Sequence, residues 1–209
     1  MSVPANQPST TAGTVDVIDD LAGLRSGGYL DELRRRRPIA REQTQRAHDL
    51  LFGPAAGDQV PRHHRLAVAV FVAALHHADA VTDHYARLLG EVAPDLVEPV
   101  LTEAGRAAGA GPWGSYREPD LADESEPGTA YAAGPDIRDR AGDRLAAGLE
   151  HAHLLVFHPR DSRPEALAAL VRAGWSRAGI VTLSQTVAFL GYQIRLVHGL
   201  RQLATEGAR

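Results

Sequence analysis

The chain has 209 residues, which is long enough for one domain with a buried core. Its formal net charge of −4 and its pI of about 6.2 argue against a nucleic-acid-binding surface, which usually carries excess positive charge. The absence of cysteine excludes disulfides, thiolate nucleophiles, thiol peroxidase chemistry and cysteine-ligated metals.

The N-terminal residues 1–14 contain neither the basic segment nor the apolar segment of a secretion signal. We therefore predict a disordered tail over 1–14 and a single domain over 15–209. The longest apolar run, 66–75, covers ten residues. A membrane-spanning helix needs about 20 residues, so we expect a cytoplasmic protein that does not contact a membrane.

The first half of the chain has helical patterns separated by proline and glycine. Residues 15–24 are interpreted as a short docking segment, and residues 29–52 as helix divided by a proline. The next helix is predicted to begin at Pro61 and to run to about Leu89. Because its run 66–75 is apolar on every side, this helix is predicted to lie at the centre of a bundle. A further candidate helix covers 94–108.

Residues 109–135 form a long connection that interrupts the helical pattern. Nine of its 27 residues are Gly or Pro, and five are acidic against one Arg. This composition is typical of a segment that is mobile, or that acts as a lid or a partner contact. Gly109 to Gly114 spell G-x-G-x-x-G, but no strand precedes them and Pro112 lies inside, so nucleotide binding is not predicted.

Helical patterns return over residues 135–157, and Ser162 to Glu165 spell a capping box that predicts a short helix to Ala173. Ser176 can cap the last helix, which is predicted to reach about Thr205. That helix has an apolar seam at spacings of three and four, formed by Ile180, Leu183, Val187, Leu190, Ile194 and Val197. Since no segment alternates like a strand, we predict an all-α fold with about six or seven helices.

The segment AALHHADAVTDHY concentrates polar, chemically active side chains at the end of the apolar helix. Residues seven apart share a helix face, which places His77 over His84 and His76 over Asp83. Such a face could pair a histidine base with an aspartate, or hold a divalent metal. His76 and Asp79 are weak metal candidates, because no recognised ligand spacing is present. A polar helix end that faces solvent is the third interpretation.

The last helix carries a second set of polar residues, Gln185, Tyr192 and Arg195, on one of its sides. This stripe is either exposed or part of a hydrogen-bonded internal network. Because Arg195 has apolar neighbours, it is a candidate for binding a partly buried carboxylate or an anion, or for bracing two helices. A third group, interpreted as structural unless it meets the first cluster in space, comprises His151, His153 and His158.

Several features together carry a family resemblance. The stretch VPRHHRLAVAVFVAALHHADAVTDHYARLL combines a basic turn, an apolar run and a polar helix end. Further along, a helix ends at Pro159, a short helix ends at Gly174, and a long helix carries Phe189 through Arg195. In this order and spacing, the chain resembles the peroxidase-related branch of the carboxymuconolactone decarboxylase and AhpD-like alkylhydroperoxidase superfamily. The resemblance implies an AhpD-like helical bundle that assembles as a dimer, trimer or hexamer.

The family's motif, C-x-x-C-x-x-x-H, is not preserved. Aligned without a gap, its two cysteines fall on Ala78 and Val81, and its histidine falls on Tyr85. Shifted by one residue, the three positions hold His77, Ala80 and His84. In either register the redox pair is missing, so the thiol–disulfide peroxidase activity of the family is not expected here.

Two classes of function follow from these observations. The decarboxylase side of the superfamily implies acid–base chemistry on a small anionic metabolite, without a cofactor. Its candidate catalytic residues are His84, His77, Asp83 and Tyr85. Its candidate substrate-binding residues are Arg195, Tyr192 and Gln185. The alternative is a non-catalytic helical oligomer, or a family member that binds a small ligand or a metal.

Overall fold

A computed structural model describes residues 16–54 and 59–206, and this part of the chain is predominantly α-helical without a β-strand. The all-α prediction is confirmed, and the predicted tail over 1–14 lies outside the described residues. The described α-helices are α1 Val17–Ala22, α2 Tyr29–Arg35, α3 Pro38–Phe52, α4 Arg62–Leu75, α5 Asp79–Gly90, α6 Val97–Arg106, α7 Pro135–Phe157, α8 Pro164–Arg172 and α9 Arg177–Glu206. Because α7 is broken at Gly142, the described part contains ten helical segments, and the prediction of six or seven was too low.

Helix α4 lies at the centre of the bundle, as its apolar sequence predicts. It packs against α5, α6, α7 and α9. Every residue from Leu66 to Ala73 is at most 1% exposed. Burial of each large apolar side chain contributes about 1.5–3 kcal/mol, so this helix is a major source of stability. Side chains that meet a ligand must therefore come from the helices around α4.

The single helix predicted from Pro61 to about Leu89 is wrong, because the chain turns between α4 and α5. Helix α4 ends at Leu75, and α5 begins at Asp79. Between them His77 adopts φ 51°, a left-handed conformation that is unfavourable for a residue with a Cβ atom. The turn lets α5 change direction and pack against α4.

Helices α1, α2 and α3 are held together by a shielded charge network. Asp16 caps α1 by accepting from the backbone N–H groups of Ile18 and Asp19, each at 3.0 Å. The same carboxylate binds Arg34 of α2 at 2.8 Å and Arg41 of α3 at 3.0 Å. Burial works to raise the pKa of Asp16, but the hydrogen bonds from Arg34 and from the Asp19 amide lower it below its ordinary value. The network fixes α3 beside the bundle.

The connection over 109–135 packs on the C-terminal end of α7. The indole of Trp113 lies 5.4 Å from the ring of Phe157 and 5.1 Å from the ring of His158, measured between centroids. A Cβ atom on Gly128 would lie 2.2 Å from the same indole. These contacts place Trp113 and Gly128 against each other at the end of α7.

Helix α9 covers one side of the bundle with 30 residues. Its predicted apolar seam is confirmed, since residues such as Leu183, Leu190 and Val197 are at most 3% exposed. The predicted cap is also confirmed, because the hydroxyl of Ser176 accepts from the N–H of Gly179 at 3.0 Å. The capping box predicted for α8 is wrong, since α8 begins without a side-chain cap.

By length and composition, the segment Arg177–Thr205 of α9 could cross a membrane. Half of its most apolar window is buried inside the bundle. The core helix of a folded bundle passes the same test of length and composition.

Candidate active site

The polar residues of AALHHADAVTDHY do not form one continuous face, because the chain turns among them. His77 is exposed at the turn, and Asp79 and Asp83 are exposed on α5. His76 is half-buried, and burial lowers its pKa. His84 is half-buried on α5. The expected stacking of His77 over His84 requires one helix through both residues, and His77 lies before α5 begins.

Tyr85 lies in the core of the bundle. It is 0% exposed, and its hydroxyl donates to Oε1 of Gln193 on α9 at 2.7 Å. Burial raises the pKa of this phenol far above its ordinary value. Tyr85, a predicted catalytic residue, therefore joins α5 to α9 and has no contact with solvent through which a substrate could reach it.

The predicted substrate-binding residues lie on the outer face of α9. Gln185 is exposed, and Tyr192 is 46% exposed with its hydroxyl 2.9 Å from Oγ1 of Thr44. Arg195 is exposed and donates to the carbonyl of Gly191 in its own helix at 2.8 Å. The buried carboxylate partner that we predicted for Arg195 is thus not found in the described part of the chain.

A pair of histidines joins α3 to α5. The ring centroids of His48 and His84 lie 6.0 Å apart. The rings of Phe52, Tyr85 and Phe189 surround His48 at centroid distances of 5.4–6.5 Å. The Nε2 atoms of both histidines are buried without a hydrogen-bond partner among the described residues. Since buried polar atoms are normally bonded, both atoms are open to a hydrogen-bond partner that the described residues do not supply.

Both rings are neutral at pH 7. Burial, with smaller contributions from His48 and Arg87, lowers the pKa of His84 to about 4. Burial also lowers the pKa of His48, although Asp49 beside its Nδ1 works in the opposite direction. A neutral imidazole carries a lone pair, so each ring is available as a proton acceptor.

An open groove of about 440 Å³ lies beside His84. Arg87 and Arg201 line it, together with the carboxylates of Asp20 and Asp83. Arg87 donates to Oε1 of Glu91 in its own helix at 2.8 Å, whereas no ion pair of Arg201 occurs within the described residues. Because a guanidinium offers paired donors that match a carboxylate, the groove can hold a small anion beside the neutral ring of His84.

Comparisons with known proteins yield no relative, since no family model, no curated protein and no solved structure matches the chain. The chemistry must therefore be argued from the side chains. The sequence has neither cysteine nor lysine, which excludes thiol redox cycling and lysine Schiff bases. Within the described ranges, no group of three His, Asp or Glu is placed to hold a metal ion. The metal candidates His76 and Asp79 thus lack a third ligand there.

Sequence reasoning missed three residues of this site: His48, Arg87 and Arg201. His48 and Arg201 are distant from His84 in the chain, and only the packing of α3 and α9 brings them near it. Arg87 could have been found, because it lies three residues after His84 and shares its helix face.

The histidines of α7 do not converge on His84. His151, His153 and His158 line a separate pocket of about 260 Å³ between α7 and α8. None of the three lines the groove beside His84. These three histidines therefore form a site distinct from the groove beside His84.

Proposed function

We propose that this chain is a cysteine-free relative of the carboxymuconolactone decarboxylase and AhpD-like alkylhydroperoxidase superfamily that performs acid–base chemistry on a small anionic metabolite. The observation that carries the proposal is the position of His84. Its neutral ring lies 6.0 Å from the ring of His48, and its Nε2 has no partner among the described residues. The same ring lines the groove that contains Arg87 and Arg201. The all-α bundle is compatible with the fold that the resemblance implies.

The charges of the groove favour a small anion over a polyanion. Arg87, which also binds Glu91, and Arg201 supply two positive charges, and Asp20 and Asp83 supply two negative charges in the same space. A single carboxylate can bind the arginines, whereas additional negative charges would meet the aspartates. Hydroxyl groups on the substrate would find acceptors in those aspartates. The expected substrate is a small hydroxylated or unsaturated carboxylic acid.

His84 acts as the proton carrier in this proposal. The neutral ring accepts a proton from the bound substrate and returns it to another atom, which is the requirement for an isomerisation. In a decarboxylation, the C–C bond breaks, CO₂ leaves and the electron pair stays on the carbon, and a His84 ring that has taken up a proton from solvent delivers that proton to the carbon. Because burial lowers the pKa of His84 to about 4, its protonated form is a strong donor. His48 is close enough to exchange a proton with it through one water.

The test is turnover in D₂O with a panel of small β-keto acids and unsaturated lactone carboxylates. Proton NMR follows deuterium incorporation and loss of the carboxyl group. We expect at least one compound to react, and His84→Gln to lower its rate by about 10²–10⁴-fold. His63→Gln removes a histidine that does not line the groove, so it is the matched control. If no compound reacts, or if His84→Gln keeps the wild-type rate, the proposal is wrong.

The arginines are tested with a second matched pair. Arg201→Gln should raise KM for the reacting compound about tenfold, because a charged hydrogen bond is lost. Arg195→Gln removes an exposed arginine from the same helix, outside the groove, and should leave KM unchanged. Equal effects of the two substitutions would contradict binding of the anion by Arg201.

A non-catalytic member of the same superfamily is the second candidate. It is favoured by Val81 and Tyr85, which stand at the second cysteine and the histidine of the family motif when the motif is aligned without a gap. Val81 is 2% exposed and Tyr85 is 0% exposed, so neither offers a reactive group to a substrate. Binding of a small carboxylate in the groove, without turnover of any compound in the D₂O panel, would support this candidate over the enzyme.

We also propose that the chain assembles as a cytoplasmic homo-oligomer. Three exposed apolar residues of α9, Val181, Tyr192 and Leu203, are spaced by eleven residues and so share one face of the helix. Such a stripe is suited to packing against a second copy. Light scattering after size exclusion should report a dimer or larger assembly, and a monomer at tens of micromolar would contradict it.

A further inference from the structure

The pocket between α7 and α8 is a second built site, with polar side chains on a largely apolar wall. Its volume is about 260 Å³, and Leu154, Ala169 and Leu170 form part of its lining. Tyr131, from the connection over 109–135, closes one side and lies 5.0 Å from the ring of His153. A pocket of this size takes a small molecule with an apolar body.

Two polar groups in the pocket are already satisfied. His158 lies 3.1 Å from Oδ2 of Asp161 through Nδ1, and 3.1 Å from the carbonyl of Thr129 through Nε2. Each ring nitrogen of His158 therefore has an acceptor within hydrogen-bond distance. His158 and Asp161 are bonded to each other, and this pair offers no free donor to a ligand.

His153 presents an acceptor. Its Nε2 lies 3.2 Å from the carbonyl of Ala107, which can only accept, so the proton of the ring is on Nε2. Burial lowers the pKa of His153 to about 4, which keeps the ring neutral at pH 7. Its Nδ1 therefore carries a lone pair.

Glu150 presents a second acceptor. Its Oε1 receives the N–H of Ala133 at 2.9 Å and also binds Arg138. Its other oxygen, Oε2, has no hydrogen bond among the described residues. His151 is 5% exposed, and its Nδ1 is buried without a partner in the same part of the chain. The pocket thus offers acceptors at Glu150 and His153, and no arginine lines it.

We propose that the α7–α8 pocket binds a small organic amine in its cationic form. The ammonium group donates to Oε2 of Glu150 and to Nδ1 of His153, and the apolar body lies against Leu154 and Leu170. An anion would meet Glu150 and Asp161 without a free positive partner, so it is disfavoured. This site differs in charge from the groove at His84, where two arginines favour an anion.

The test uses three probes of similar shape at pH 7: benzylamine, benzyl alcohol and benzoate. Binding is measured on the full-length protein by ¹H–¹⁵N NMR titration, with the amides of α7 and α8 as the readout. Benzylamine should shift these amides with a millimolar Kd, and benzyl alcohol and benzoate should bind there at least about tenfold more weakly, since the charged hydrogen bond is lost.

Three variants locate the interaction. Glu150→Gln keeps an oxygen for the N–H of Ala133 but removes the charge, so benzylamine binding should weaken about tenfold. Asp143→Asn removes a carboxylate that is 80% exposed and binds the same Arg138, and it should change Kd less than twofold. Ala169→Phe fills the pocket and should abolish binding.

Four results would overturn the proposal. They are the absence of shifts in α7 and α8, equal binding of benzyl alcohol at those amides, retention of affinity in Glu150→Gln, and an equal loss in Asp143→Asn. Thermal melting of each variant shows that it is folded. If Ala169→Phe does not fold, the comparison of Glu150→Gln with Asp143→Asn still decides the question.

Discussion

Removal of the hydroxyl of Tyr85 tests whether this residue holds α5 to α9 or takes part in chemistry. Tyr85→Phe deletes the donor to Oε1 of Gln193, which is 2.7 Å away. Both residues are 0% exposed, and Nε2 of Gln193 already has no partner among the described residues. Because the phenyl ring of the variant still fills the site, the substitution would leave the whole side-chain amide of Gln193 buried and without a hydrogen bond.

The expected cost follows from the burial of that amide. An unsatisfied buried acceptor costs about 1–3 kcal/mol, so Tyr85→Phe should lower the free energy of unfolding by this amount. Gln193→Met alone should cost about the same, because it leaves the phenol hydroxyl unbonded. The double variant removes both polar groups at nearly constant volume and should lie within about 1 kcal/mol of the wild type.

Urea unfolding followed by circular dichroism measures all four proteins of this double-mutant cycle. The reasoning is refuted if Tyr85→Phe costs less than about 0.5 kcal/mol, or if the two single costs add in the double variant. Tyr85→Phe should also retain turnover in the D₂O assay, because the hydroxyl lies in the core. Loss of turnover in a folded variant would restore Tyr85 as a catalytic residue.

Three further predictions concern stability, and a fourth concerns the position of Trp113. Between pH 7 and pH 5 the free energy of unfolding should fall by about 2 kcal/mol on account of His84. Its pKa is lowered in the folded protein, so the unfolded chain binds the proton at a higher pH than the folded chain does. Urea titrations should show this decrease with pH, and a smaller one in His84→Gln. His77→Gly should raise the free energy of unfolding by up to about 1 kcal/mol, since glycine tolerates φ 51°. His77→Val should lower it, as measured by the same urea titration. A more stable His77→Val than His77→Gly would contradict backbone strain at this residue. Asp16→Ala should cost about 2–4 kcal/mol in urea titrations, because α1 loses its cap and Arg34 and Arg41 each lose one of their carboxylate partners. An equal loss in the exposed control Glu32→Ala would count against this. Gly128→Ala should displace Trp113, since the new Cβ would meet the indole at 2.2 Å, and tryptophan emission should move to the red; unchanged emission would show that the connection is not held there.

The helical core could be predicted from the sequence because its signals are local. The run Leu66–Leu75 is apolar on every side, and the seam of α9 repeats at spacings of three and four. The break at His77 could not be predicted in this way. Nothing in the letters HHAD marks a left-handed residue without glycine, and the turn is imposed by the packing of α5 on α4.

The candidate site was only partly predictable for a related reason. His84 was found because it is a chemically active residue beside an apolar helix. Its partner His48 comes from α3. This pairing depends on the packing of α3 against α5, which the periodicity of a single helix does not predict. Arg195 was misread because its neighbours in sequence are apolar. It lies about 100° around the helix from the buried Ile194, which places it on the exposed face.

The state of the His84 ring, measured by ¹⁵N NMR during a pH titration with and without benzoate, tests the central claim most directly. The account predicts a ring that is neutral at pH 7, with a pKa well below 6 in the free protein. Benzoate should shift the ring nitrogens of the wild type and of Arg195→Gln, and should not shift those of Arg201→Gln. A ring that titrates at its ordinary pKa and does not respond to benzoate would contradict a buried proton carrier beside an anion-binding groove.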